Sequence, residues 1–209
     1  MKTDDLIRTL AADAAAAPPV ESYLRPALVA GFAASLALFL VTLGLRPDLA
    51  QAAETLRFVV KPFFPLIFAI CALIVLARLW RPGARVPGAL LVLAPALLAL
   101  AVGLELAAEP SERWGALLVG DNALKCLVFI PLFSAAPLAA ILYALRHGAP
   151  TRPALTGAVA GLVAAGIGAT LYALHCPDDS PLFVAAWYAL ATALVCGVGA
   201  LLGARFLRW

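Results

Sequence analysis

Six runs of apolar residues dominate this chain, at 27–45, 58–79, 87–107, 123–145, 154–174 and 182–203. Each is close to the roughly 20 residues that cross a bilayer as a helix. In hydrocarbon the backbone N–H and C=O groups have no water to bind, so such runs must close their own hydrogen bonds as helices. The composition agrees. The chain is 64% hydrophobic and 13% charged, where soluble domains are about 45–50% apolar and about 25% charged. The expectation is an all-α integral membrane protein. Its six spans form one bundle, residues 26–209, because the connections are too short to hold another domain. Residues 1–25 form a separate appendage.

That appendage reads as a short amphipathic helix. Thr3 is placed to cap it, and Asp4 and Asp5 follow in the first turn, where negative charge suits the helix dipole. Leu6, Ile7, Leu10, Ala11 and Ala14 share one face at helical spacing, and Pro18 and Pro19 end it. About three turns are too few to be stable alone in water, so this helix needs a surface. Asp4, Asp5 and Asp13 argue against the bilayer as that surface, since helices lying on membranes are usually rich in Lys and Arg.

Basic residues orient the bundle. With the N-terminus inside, the inner segments hold Lys2, Arg8, Arg25, Arg78, Arg81, Arg85, Arg146, Arg152, Arg205 and Arg208. The outer side keeps Arg46, Arg57, Lys61, Arg113 and Lys125. Ten against five predicts both termini cytoplasmic. The net charge of +3 is spread over loops and gives no footprint for direct nucleic-acid binding. Pro62, Pro65, Pro95, Pro131 and Pro137 are expected to kink spans two, three and four. The G-x-x-x-G pairs Gly157/Gly161 and Gly199/Gly203 are expected to let helices pack closely within the bundle.

Four cysteines occur with no C-x-x-C pair, which excludes zinc-ribbon and thioredoxin-type sites. Cys71 and Cys196 lie deep in spans two and six, where a thiol is usually a small hydrophobe. Cys126 and Cys176 are fifty residues apart yet fall at the same outer depth. Lys125, Lys61 and Arg57 lie at that level, and nearby cations raise a thiol's reactive fraction, while Asp178 and Asp179 act in the opposite sense. With His175 the two thiols could hold a soft metal ion. Three alternatives stay open for them: a disulfide, a bound metal, or two unconnected thiols. No other cofactor is implied. Lys61 and Glu105 are the ionisable residues within spans and are expected to pair with one another. Glu109, Glu112 and Asp121 read as solvated loop carboxylates, and His147 as a solvated loop residue. No G-x-S-x-G, H-E-x-x-H or Walker loop is present, so nothing nominates an enzyme.

Several stretches together resemble a known family. They are the start MKTDDLIRTLAAD, the six spans, Cys126 within NALKCLVFIPLFSAAPLA, and HCPDDSPLFVAAWYAL with the ending GALLGARFLRW. The chain is similar to the NrsF-like (negative regulator of sigma-F, OsrA-type) membrane anti-sigma factors of proteobacteria. The C-P-x-x-x-P-x-F-x-x-x-W-Y run from Cys176 to Tyr188 is the most specific part.

The resemblance implies a multi-pass protein of the bacterial inner membrane. Its cytoplasmic N-terminal segment, here with Asp4, Asp5, Leu6, Ile7 and Leu10, would hold an extracytoplasmic-function (ECF) sigma factor inactive. Cys126 and Cys176 would be the periplasmic sensor thiols for oxidant or heavy-metal stress, with Lys125 and His175 beside them. Two other classes compete. A thiol oxidoreductase serving a quinone should show a C-x-x-C pair, and a small transporter should show polar residues at mid-span.

Overall fold

The computed structural model describes residues 3–13, 20–81 and 84–208, with the side chains of Leu10, Ala12, Asp13 and Glu21 left aside. Among the described residues there are helices and no strand. α1 covers Thr3–Asp13, and the first span is α2, Val20–Thr42. The second span joins α3 (Leu49–Ala52) through a turn and comprises α4 (Leu56–Val60) and α5 (Phe63–Leu79). A 3-10 turn, Gly88–Val92, leads into α6 (Leu93–Ala108), the third span, and α7 (Ser111–Val119) follows outside it. The fourth and fifth spans are α8 (Ala123–Leu145) and α9 (Pro153–Ala173). The sixth is α10 (Pro181–Phe183), a π-helical turn Val184–Tyr188, and α11 (Ala189–Phe206).

All six are long and apolar enough to cross a membrane. Their bounds differ from the apolar runs by a few residues. The first span starts earlier than expected, because α2 carries Pro26 inside it.

The fifth span is the central post, packed against the second, fourth and sixth. Its sequence explains the position, for its buried face is almost wholly Gly, Ala and Val. Lipid tails are as apolar as Leu, so helices in a membrane are held together by close fit rather than by escape from water. Here the fit is backbone to backbone. A Cβ on Gly157 would lie 2.7 Å from Cα of Gly203, and one on Gly161 would lie 2.8 Å from Cα of Cys196. The two G-x-x-x-G pairs thus face each other inside one chain, as expected.

The prolines act less uniformly than expected. Pro62 caps α5 and separates it from α4, while Pro65 and Pro95 sit in first turns of helices, where no N–H is needed. Pro131 and Pro137 lie inside α8. Lacking an N–H, Pro137 leaves the carbonyl of Phe133 without its helical partner. The hydroxyl of buried Ser35, on the first span, donates to that carbonyl at 2.6 Å. Gly31 lets the two spans meet there, since a Cβ on it would lie 2.8 Å from Cα of Pro137. Spans one and four are therefore locked together at a proline.

The core divides into two clusters at opposite ends of the bundle. One gathers Val20, Leu24, Leu79, Trp80, Leu145 and Leu207, so the first and last spans begin and end together. His147 belongs to this end. It is exposed, as expected, and its ring is stacked on Tyr23 at 3.9 Å. The other cluster gathers Phe39, Phe133, Tyr172, Phe183, Tyr188 and two cysteines.

Candidate functional site: a buried thiol pair

The two cysteines are Cys126 and Cys176, both fully buried. Each arrives by its own local rule. Cys126 sits in the first turn of α8, and the start of that helix is held by Asp178. The Asp178 carboxylate accepts from the backbone N–H of Asn122 at 3.0 Å and from its side-chain amide at 2.9 Å. Cys176 follows the end of α9, its N–H closing on the carbonyl of Tyr172 at 3.0 Å. Pro177 has no N–H to continue that pattern. The chain turns, and Ser180 caps the sixth span by accepting from the N–H of Leu182.

The stretch 175–181 is then tied to every other loop at its end of the bundle. Lys61, 1% exposed, donates to the carbonyl of Cys176 at 2.7 Å and to Asp179 at 3.0 Å. Arg46, after the first span, donates to the other oxygen of Asp179 at 2.9 Å and to Asp48. Glu105, on the third span, accepts from the hydroxyl of Ser180 at 2.6 Å and from the N–H of Leu182 at 3.1 Å. In an apolar surround such charges persist only when paired and hydrogen-bonded.

This corrects the expected Lys61–Glu105 pair. Lys61 takes Asp179, and Glu105 takes Ser180 with Arg57 at 3.4 Å. Glu109 is not simply solvated either, since Arg57 and Arg113 hold its carboxyl below the usual range.

Cys126 and Cys176 are free thiols buried in the same cluster. The Cys126 thiol, able to donate to a Cys176 thiolate, is the main influence holding the pKa of Cys176 down, at about 7. Burial opposes that fall, and the charge of Lys61 assists it. Tyr172 and Tyr188 close over the pair, with rings 5.9 Å apart. Their buried hydroxyls face the sulfurs without meeting hydrogen-bond geometry. The π-helical turn at Val184–Tyr188 adds a residue to the sixth span where Tyr188 meets this cluster. Such turns gather at functional sites.

The remaining predicted residues fall elsewhere. Lys125 bonds Asn122 Oδ1 at 2.9 Å and so supports the α8 start rather than the sulfurs. His175 points its Nδ1 at the carbonyl of Gly44, 3.1 Å away. Among the described residues no three of His, Cys, Asp and Glu stand together to hold a metal ion. Cys71 is buried and Cys196 half-buried, far from the pair along their spans. At the other end, Asp4, Asp5, Leu6 and Ile7 are exposed on α1, with Ile7 58% exposed. The side chain of Leu10, and the stop at Pro18 and Pro19, lie outside the described residues.

The residues reasoning from sequence missed are Arg46, Tyr172 and Tyr188. Tyr188 alone left a trace, as the last letter of the Cys176–Tyr188 run.

Residues 10–209 match the family described as negative regulator of sigma F, NrsF. The chain belongs to the NrsF family. Two relatives align over 214 residues, covering the whole of both chains in each case. One, from Azospira oryzae, is 40% identical and is named a probable anti-sigma-F factor NrsF. The other, from Caulobacter vibrioides, is 38% identical and is named anti-sigma-F factor NrsF. No solved structure matches the chain.

Proposed function

We propose that this NrsF-family chain is an inner-membrane anti-sigma factor. It holds an ECF-type sigma factor through residues 1–25 and lets it go when Cys126 and Cys176 are oxidised at the periplasmic end. One observation carries the reading most. Two thiols fifty residues apart are buried against each other at one end of the bundle, while an exposed Leu6/Ile7 face with an acidic first turn stands on the segment leading into the other end. An amphipathic helix of that kind suits an apolar groove on a basic, DNA-binding partner. The charge bias of the loops supports cytoplasmic termini.

The route between the ends follows spans four and one. Cys126 heads the helix on which Phe133 stacks edge-on against Phe39 of the first span, ring centroids 5.7 Å apart. Ser35 and Gly31 grip the same helix one and two turns further on. A disulfide needs a fixed sulfur geometry, so closing it would move the top of span four and carry span one with it. A coupling of about 1–3 kcal/mol, the usual allosteric size, changes sigma affinity by about 5–150-fold.

The test is a Cys126→Ser, Cys176→Ser double variant in cells carrying a sigma-dependent reporter. Transcription should stay repressed under oxidant. A normal rise would sink the thiol switch. Deleting residues 1–25 should abolish co-purification of the sigma factor, and undiminished capture would refute the binding segment.

A further inference from the structure

The two thiols are surrounded unequally. Cys126 lies in a helix of the fourth span, among Ile130, Phe133 and Ala169. Cys176 lies in the turn outside the fifth span. The next four residues, Pro177–Ser180, line a cavity of about 340 Å³ that opens outward between Thr55, Arg57 and Leu117. Cys176 is also the thiol tied to a cation, since its carbonyl accepts from the buried ammonium of Lys61 at 2.7 Å. Asp179 does not cancel that ammonium alone, because it is shared with Arg46.

We propose that the pair has a division of labour. Cys176 is the thiolate that attacks the oxidant, Cys126 is the resolving thiol, and Lys61, bound to the Cys176 carbonyl, is the positioning residue. This rests on the thiol-switch reading above and adds the order of events to it.

The chemistry balances with a peroxide as oxidant. The Cys176 thiolate attacks one peroxide oxygen, the O–O bond breaks, and Cys176 becomes a sulfenic acid as hydroxide (or the alkoxide) leaves. The Cys126 thiol then displaces the sulfenic oxygen as water, forming the disulfide. Overall two electrons and the two thiol protons pass to the peroxide.

The groups facing Cys176 fit the assignment. Lys61 comes from the second span, Cys126 from the fourth, Tyr172 from the fifth and Tyr188 from the sixth. The two nearest carboxylates are engaged elsewhere, Asp178 by Asn122 and Asp179 by Lys61 and Arg46. His175 is turned away to Gly44. Lys61 is therefore the cation to remove, and Asp179 keeps Arg46 as its partner when it is gone.

The experiment uses the full chain purified in detergent, reduced, and given limiting hydrogen peroxide with a dimedone probe that traps sulfenic acid. Cys126→Ser should accumulate trapped Cys176, while Cys176→Ser should leave Cys126 untrapped. Lys61→Met should slow Cys176 trapping at least tenfold at neutral pH and move its pH profile upward, and Lys61→Arg should restore both. Equal trapping at Cys126 in Cys176→Ser overturns the division of labour. Unchanged rate and pH profile in Lys61→Met overturns the role of Lys61. Thermal melting of each variant accompanies the trapping, and the two cysteine variants keep Lys61, so the order of attack is read even where Lys61→Met fails to fold. Loss of sigma control with trapping intact would count against the switch reading and leave this chemistry standing.

Discussion

At the scale of single residues, the end of the bundle that holds the thiols is governed by a few buried polar atoms. Among the described residues Asp178 forms no ion pair. It serves as the cap of another helix, accepting from Asn122 fifty-six residues earlier in the chain. Asp178→Ala should leave those donors unpaired at a cost of about 1–3 kcal/mol, seen as a lower melting temperature and faster alkylation of Cys176. Cys176 also makes a pH prediction. Its folded-state pKa, about 7, lies below that of an ordinary thiol, near 8.5. The stabilising contribution is therefore full above the ordinary value and is lost as pH falls through about 7. Alkylation rates in the Cys126-containing protein should rise through neutrality rather than a unit or more higher. A profile centred at the ordinary thiol value would contradict the lowered pKa of Cys176.

At the scale of helices, the decisive contacts are made by residues with little or no side chain. Gly161→Leu would push into the sixth span where Cα of Cys196 lies 2.8 Å from the would-be Cβ. Overpacking of this kind usually costs about 1–3 kcal/mol, so this variant should melt earlier in detergent. Gly197, with open space around its Cβ position, should accept Leu without penalty. Ser35→Ala tests the grip of span one on span four. It orphans the Phe133 carbonyl and should cost about 1 kcal/mol, the scale of a hydrogen bond within a membrane. If the signal runs along these spans, basal sigma-dependent transcription should rise in this variant with both cysteines intact.

At the scale of the whole molecule, the proposal assigns two tasks to opposite ends of the bundle. The thiols lie at one end, and the first span begins at the other. Alkaline phosphatase fused within α7 should be active in cells, and fused after Leu207 it should be inactive. The reverse pattern would invert the whole functional assignment. Much of this arrangement was legible in the chain. The number of spans, their approximate limits and the small-residue seams follow from hydropathy and glycine spacing, which act locally.

Ion pairing was not legible in that way, because a charge chooses its partner by distance after folding. Lys61 was expected to find Glu105, a neighbour by depth alone. It found Asp179 because Pro62 ends α4 beside it and the turn after Cys176 brings that carboxylate within 3.0 Å. His147 likewise had no partner in sequence and gained one when span four ended beside Tyr23.

What the sequence determined by itself is what hydrocarbon imposes on any chain: six helices, with two cysteines at one depth. Depth is set along each helix by counting residues. Whether two residues at one depth touch depends on helix order and rotation, which only the packed bundle decides. The glycines of span five draw the sixth span in, Asp178 pins the start of span four, and the two thiols meet.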